Sequence, residues 1–219
     1  MNKDKILGMI LSGGLSRRMG SDKTFKKISG VNLIQHTIKR STKQVGRLIV
    51  NSNDSNKIFK HLDSTIIVKD CIPGNFGPLV GILSGIKWAR HDSNYNWLVS
   101  FPVDSPFFPN DIVNRFIKES ENYEILMAEC SKRIHPVFSM WKVNIEMENQ
   151  LEIFLNAGGR KIDEFTKKFK TRVVKFEEFG YDPFFNVNTV EDLKIANEIY
   201  NKYFKDLKRV LLINYTKKI

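Results

Sequence analysis

A short apolar run, residues 6–11, leads straight into Leu11-Ser12-Gly13-Gly14-Leu15-Ser16-Arg17-Arg18-Met19-Gly20-Ser21-Asp22-Lys23. Glycines let backbone N–H groups close on phosphate oxygens, and Arg18 and Lys23 add positive charge to the same turn. The chemistry this composition suits is the holding of a phosphate group. The spacing is not that of a Walker A loop, because no glycine precedes Lys and Ser or Thr at the required distance, and no G-x-G-x-x-G occurs either. A flexible basic turn is the alternative. The order of glycine pair, arginine, Met-Gly and lysine directly behind a strand favours phosphate binding, since ligands of α/β folds gather beyond the carboxyl ends of strands.

Asp104 closes a second apolar run, residues 97–103, in Pro102-Val103-Asp104-Ser105-Pro106. A carboxylate there can hold Mg²⁺ against nucleotide phosphates; an Asp-Ser-Pro turn in which it bonds the backbone is the competing role. Asn51 and Asp70 also end β-rich runs, where each could serve a nucleotide or form a turn. Leu11, Ser12 and Gly13 would offer mainly backbone. Asn186 and Asn188 sit two apart, and on a strand their amides would face one side, suiting a polar heterocycle or its phosphate; solvated asparagines of an edge strand are the alternative. His135 precedes Pro136, where a lone histidine is usually structural. No His–carboxylate or Ser–His constellation suggests nucleophilic catalysis.

These residues must be positioned by the elements between them. Strand-like runs cover residues 6–11, 47–51, 65–68, 97–103, 123–128, 137–141, 172–176 and 184–188. Helical spacing covers 32–45, 54–62, 79–89, 111–119 (capped by Asn110) and 145–156. Thr189, three residues before Asp192, opens a final amphipathic helix. The alternation predicts a single-domain α/β fold, a Rossmann-like, mostly parallel twisted sheet with helices on both faces. One domain over residues 1–204 and a basic C-terminal tail over 205–219 complete the expected organisation.

The chain has 219 residues, enough for a self-sufficient core, and 42% hydrophobic residues. Its two cysteines, Cys71 and Cys130, form no CxxC pair, and the four histidines lack metal-pair spacing. Without a signal peptide or a long apolar stretch, the expectation is a cytoplasmic protein with no membrane partner. A net charge of +11 suits polyanionic partners, but it is spread along the chain. A basic nucleic-acid-binding module would need a helix dense in Lys and Arg or an RNP-like aromatic motif, and neither is present.

The glycine-rich loop resembles the signature of sugar-nucleotide-type nucleotidyltransferases, and in detail that of the MobA-like molybdenum cofactor guanylyltransferases. Val50-Asn51-Ser52-Asn53, Lys69-Asp70, Gly77-Pro78-Leu79-Val80-Gly81, the Asp104 segment, His135-Pro136 and Asn186-Val187-Asn188-Thr189 match that family in order. The resemblance spans about residues 6 to 195 and implies a nucleotide-diphospho-sugar transferase-like fold. It further implies transfer of GMP from GTP to molybdopterin with release of pyrophosphate. Leu11, Ser12, Gly13, Lys23, Asn51, Asp70 and Asp104 would bind the nucleotide, and Asp104 the Mg²⁺ cofactor. Arg18, Lys23 and Asp104 would serve catalysis, and Asn186 and Asn188 molybdopterin. Proteins of molybdoenzyme maturation would be further partners. A cytidylyltransferase of the same pathway and a sugar-phosphate nucleotidyltransferase are the alternatives.

Overall fold

All six residues of the first apolar run are buried in strand β1 (Ile6–Leu11). Side chains alternate across a strand, and here the alternation divides two cores. Ile6 and Ile10 enter one hydrophobic cluster, while Leu7, Met9 and Leu11 enter the other. In the computed structural model the described residues are 2–13, 23–54, 65–74, 77–92 and 94–205.

A short antiparallel ribbon, β2 (Lys27–Ile28) and β3 (Val31–Asn32), precedes helix α1 (Leu33–Ser41). The main sheet adds β4 (Arg47–Asn51), β5 (Ile66–Val68), β6 (Trp97–Pro102), β7 (Ile125–Cys130), β8 (Arg133–Lys142) and β9 (Thr171–Phe176). Its order is β5-β4-β1-β6-β8-β7-β9. Only β8 runs against its neighbours; the β1–β4, β1–β6, β4–β5 and β7–β9 pairs are parallel. The sheet is mostly parallel, as the alternation predicts.

Helices cover both faces. Ile34 of α1 joins Ile112, Val113 and Phe116 of α3 (Ile112–Lys118) on the first face. On the second, α2 (Pro78–Asp92) buries Leu79, Ile82, Leu83 and Ile86 beside Met147 and Leu151 of α4 (Ile145–Asn156) and Phe165 of α5 (Ile162–Thr166). A third cluster holds α6 (Val190–Tyr203) against the β2–β3 ribbon through Ile28, Val187, Ala196 and Tyr200. Thr189 Oγ1 accepts from Asp192 N at 3.0 Å and the Asp192 carboxylate accepts from Thr189 N at 2.8 Å, the capping box that the spacing predicts.

Three expectations are corrected. The first helix stops at Ser41 rather than at residue 45, where the Ser41 and Thr42 hydroxyls bond back to the Thr37 and Ile38 carbonyls at 2.8 Å each. Asn110 does not cap α3: Asp111 holds the cap position, and the distant Gln44 Oε1 accepts from Val113 N at 3.2 Å. Residues 184–188 do not form a strand. Their backbone donors go elsewhere, Phe184 N to Asp182 Oδ1, Val187 N to Asp104 O and Asn188 N to Asp192 Oδ2, all between 2.8 and 2.9 Å. The expected helix over residues 54–62 and the basic tail beyond Lys205 lie outside the described residues.

Candidate active site

Four neighbouring strands, β5, β4, β1 and β6, stop along one line, and the polar residues gather there. Leu11 closes β1, Asn51 closes β4, Asp70 follows β5, and Asp104 follows β6. Short bonds lock the strand ends: Ser12 N donates to Asn51 O at 3.1 Å, Ser52 N to Val68 O at 3.1 Å, and Val103 N to Leu11 O at 3.2 Å. They face a cavity of about 370 Å³ lined by Leu11, Gly13, Asn51, Asp70, Asp104 and Asn186 among others. This is the location expected for ligands of an open α/β sheet.

One wall is a hydrogen-bonded amide–carboxylate array. Asn51, 4% exposed, donates from Nδ2 to Asp70 Oδ1 at 2.8 Å and to Val68 O at 3.1 Å. Asn53 Nδ2 donates to Asp70 Oδ2 at 2.8 Å, and Asp70 N donates to Asn53 Oδ1 at 2.9 Å. Both carboxylate oxygens are thus fixed in direction while each keeps a further lone pair for a ligand donor. Asn53 is a site residue that sequence reasoning passed over, although it stands in the same Asn51-Ser52-Asn53 run. Gly81 of α2 closes this wall from below. A Cβ there would lie 2.6 Å from Asn51 Oδ1 and 2.7 Å from Leu11 Cδ2, so only glycine lets the helix approach so closely.

The opposite wall comes from the start of β8. The ladder between β6 and β8 ends at the Ser100–Ser139 pair, and β8 runs on past it to Arg133. Against β7 the register jumps from Met127–Ser139 to Ala128–His135, so that Pro136, Val137 and Phe138 form a bulge. Proline cannot donate to a ladder, and bulges of this kind re-aim the side chains beside them. A two-residue turn joins β7 to β8 with positive φ at both Ser131 and Lys132 (50° and 66°), the geometry of a tight hairpin made without glycine. Arg133, Ile134 and His135 consequently line the cavity. His135 is 7% exposed and stacks on Phe184 with ring centroids 4.6 Å apart. Burial pushes its pKa below the ordinary imidazole value; Asp182 opposes that shift and Arg133 reinforces it.

Asn186 joins this wall, where its Oδ1 accepts from the hydroxyl of the fully buried Ser105. Asn188 is half-buried and is not among the residues lining the cavity. The expected sharing of one strand face by the two asparagines therefore fails with the strand itself. Arg18 and the side chain of Lys23 lie outside the described residues. Asp104 stands between the walls, half-buried, with its carbonyl accepting from Val187 N at 2.8 Å. Among the described residues no cluster of three or more His, Cys, Asp or Glu could hold a metal unaided. A single hard carboxylate fits an ion that takes its remaining ligands from substrate phosphates and water, as Mg²⁺ does. No helix of the described residues is long and apolar enough to cross a membrane.

Sheet order, helical layers and a polar cavity across the strand ends define an α/β protein of the nucleotide-diphospho-sugar transferase type. The comparisons narrow this class. A family model described as a MobA-like NTP transferase domain matches residues 8–182. The molybdenum cofactor guanylyltransferase of Bradyrhizobium sp. (strain ORS 278) is 35% identical over 196 residues, covering 88% of this chain and 92% of that relative. The solved structure of molybdopterin-guanine dinucleotide biosynthesis protein A from Archaeoglobus fulgidus superposes with a TM-score of 0.72 at 23% identity, over 90% of this chain and 99% of that one. The 4-diphosphocytidyl-2C-methyl-D-erythritol synthase of Anaerococcus prevotii reaches a TM-score of 0.70 at 14% identity, covering 92% of this chain and 100% of that one. The chain belongs to the MobA-like NTP transferase family and is a nucleotidyltransferase.

Proposed function

We propose that this protein is a molybdenum cofactor guanylyltransferase, transferring GMP from GTP to the terminal phosphate of molybdopterin and releasing pyrophosphate. The observation that carries the reading is the placement of Asp104 between two unlike walls of one cavity. The β1–β4–β5 side offers backbone at Leu11, Ser12 and Gly13 and the Asn51–Asp70–Asn53 array, partners suited to a purine base and ribose. The β8 side offers a cation, a stacked imidazole and the Asn186 amide, partners suited to an anionic heterocycle. The fold does not choose the base, because the same architecture serves a protein named for a cytidyl product.

An oxygen of the acceptor phosphate forms a bond to the α-phosphorus of GTP as the bond from that phosphorus to the β-phosphate bridge breaks. A phosphate monoester with its second pKa near 6 is already largely dianionic at neutral pH, so no general base is required. That agrees with the lack of a proton-abstracting pair in the sequence. Asp104 would hold Mg²⁺, which when bound supplies positive charge to the phosphate oxygens. Lys23 and Arg18 are assigned to the charge that develops on the departing pyrophosphate. Asp70, held rigid by two amides, accepts from the guanine N1–H and N2–H₂ donors. Residues through 204 form the catalytic domain in this account, with 205–219 outside it, and molybdoenzyme-maturation proteins receive the product.

The test is product analysis. GTP labelled at the α-phosphate should transfer its label to molybdopterin in the presence of Mg²⁺, while label at the γ-phosphate should appear only in pyrophosphate. Pyrophosphate release without label transfer would show hydrolysis, and the proposed function would fall.

A further inference from the structure

Within the proposed function, one buried side chain is left with a task that the fold does not explain. His135 is more than nine-tenths buried and lines the cavity, yet its Nε2 has no hydrogen-bond partner among the described residues. An unsatisfied buried polar nitrogen is destabilising relative to an apolar replacement of the same shape. The surroundings would favour such a replacement. The ring stacks at 4.6 Å on Phe184, which itself meets Phe138 at 4.8 Å and Phe176 at 5.4 Å. A phenylalanine at residue 135 would join an aromatic cluster already three rings strong and leave no stranded nitrogen. Structural economy therefore does not account for the histidine.

We infer that His135 is a specificity-determining contact for the acceptor substrate, its imidazole nitrogen meeting a polar group on the heterocycle of molybdopterin. Topology decides which substrate it meets. In the order β5-β4-β1-β6-β8, the nucleotide-side residues end β1, β4 and β5, and Asp104 follows β6. His135 lies on β8, across Asp104 from the nucleotide wall, on the same side as Asn186. The Pro136–Phe138 bulge carries the residue there by bending β8 away from the regular ladder. Arg133, two residues before it on the same strand and also lining the cavity, supplies positive charge beside the ring for an anionic ligand. A ligand that completes the hydrogen bonding of a buried group is recognised sharply, because an analogue lacking the partner leaves that group stranded.

The experiment is His135→Phe in the full chain, read by three measurements: molybdopterin affinity from fluorescence titration, GTP affinity from calorimetry, and thermal unfolding. The ring and its stacking are kept while both nitrogens are lost. The expected result is molybdopterin binding weakened about tenfold, the equivalent of one hydrogen bond. GTP affinity should stay within about twofold of wild type, and the midpoint of unfolding should hold or rise by a few degrees. A fall in melting temperature with equal loss of both affinities would assign His135 a structural role and overturn the inference. Unchanged molybdopterin affinity would overturn it as well, with guanylyl transfer by the wild type still supporting the proposed function. A wild-type protein that binds no molybdopterin would overturn both.

Discussion

Asn51 holds Asp70: the amide Nδ2 donates to the carboxylate Oδ1 at 2.8 Å, across the junction where β4 and β5 end together. The same nitrogen spends its second hydrogen on the Val68 carbonyl, so its donors are fully used by the protein. What remains is the Asn51 Oδ1 acceptor, in the space that Gly81 leaves open. Two adjacent strand ends thus place the Asn51 and Asp70 side chains together on one wall of the cavity.

Gly81→Ala tests that arrangement without removing a polar group. The added Cβ would stand 2.6 Å from Asn51 Oδ1 and 2.7 Å from Leu11 Cδ2, both closer than real contacts allow. Overpacking of this kind costs about 1–3 kcal/mol. The variant should unfold at lower temperature and show a raised KM for GTP, with the KM for molybdopterin little changed. Wild-type GTP kinetics in a destabilised variant would remove Asn51 from the nucleotide site.

Asp104→Asn preserves size and some hydrogen bonding while removing the charge assigned to Mg²⁺. The backbone bond from Val187 N to Asp104 O is untouched by the change, so the protein should fold. Turnover should fall by at least about a hundredfold, the scale of a lost electrostatic contributor to the transition state. Near-wild-type rates at limiting Mg²⁺ would assign Asp104 to the turn alone.

The central strands were legible because each is a short apolar run bounded by turn formers, and a strand buried on both faces needs little else. Leu11, Gly13, Asn51, Asp70 and Asp104 could be placed on the cavity from the same rule, since ligands lie beyond strand carboxyl ends. Their mutual bonds could not, as the Asn51–Asp70 contact spans the β4–β5 crossover. The hairpin at Ser131-Lys132 carries no glycine to mark it, and β8 begins at Arg133 rather than at residue 137, running through Pro136. Residues 184–188 read as a strand from composition, but Asp104, Asp182 and Asp192 take their backbone donors first.

Burial lowers the His135 pKa, with Asp182 pulling the other way and Arg133 adding to the shift. The folded protein therefore binds fewer protons than the unfolded chain between the lowered value and the ordinary one of about 6.5. The stability contributed by the neutral ring is fully present above the ordinary value and is lost as pH falls toward the lowered one. The melting temperature of His135→Phe relative to wild type should climb as pH drops from about 8 to about 5. A difference that stays constant over that range would mean His135 titrates normally in the fold.

The most direct test of the guanylyl assignment is the initial rate of pyrophosphate release with molybdopterin, Mg²⁺ and, separately, GTP, CTP and ATP. Guanine presents N1–H and N2–H₂ as adjacent donors, and Asp70 with both oxygens fixed is built to accept them. Cytosine is smaller and orders its donors and acceptors differently, so it would not meet the remaining lone pairs of the two Asp70 oxygens together. Sites that hydrogen-bond their substrate reject such analogues by up to about 10⁴-fold. The account predicts release with GTP that depends on molybdopterin, at rates far above those with CTP or ATP. Faster release with CTP would contradict the assignment of guanine to the Asn51–Asp70 wall, while leaving the family and the fold in place.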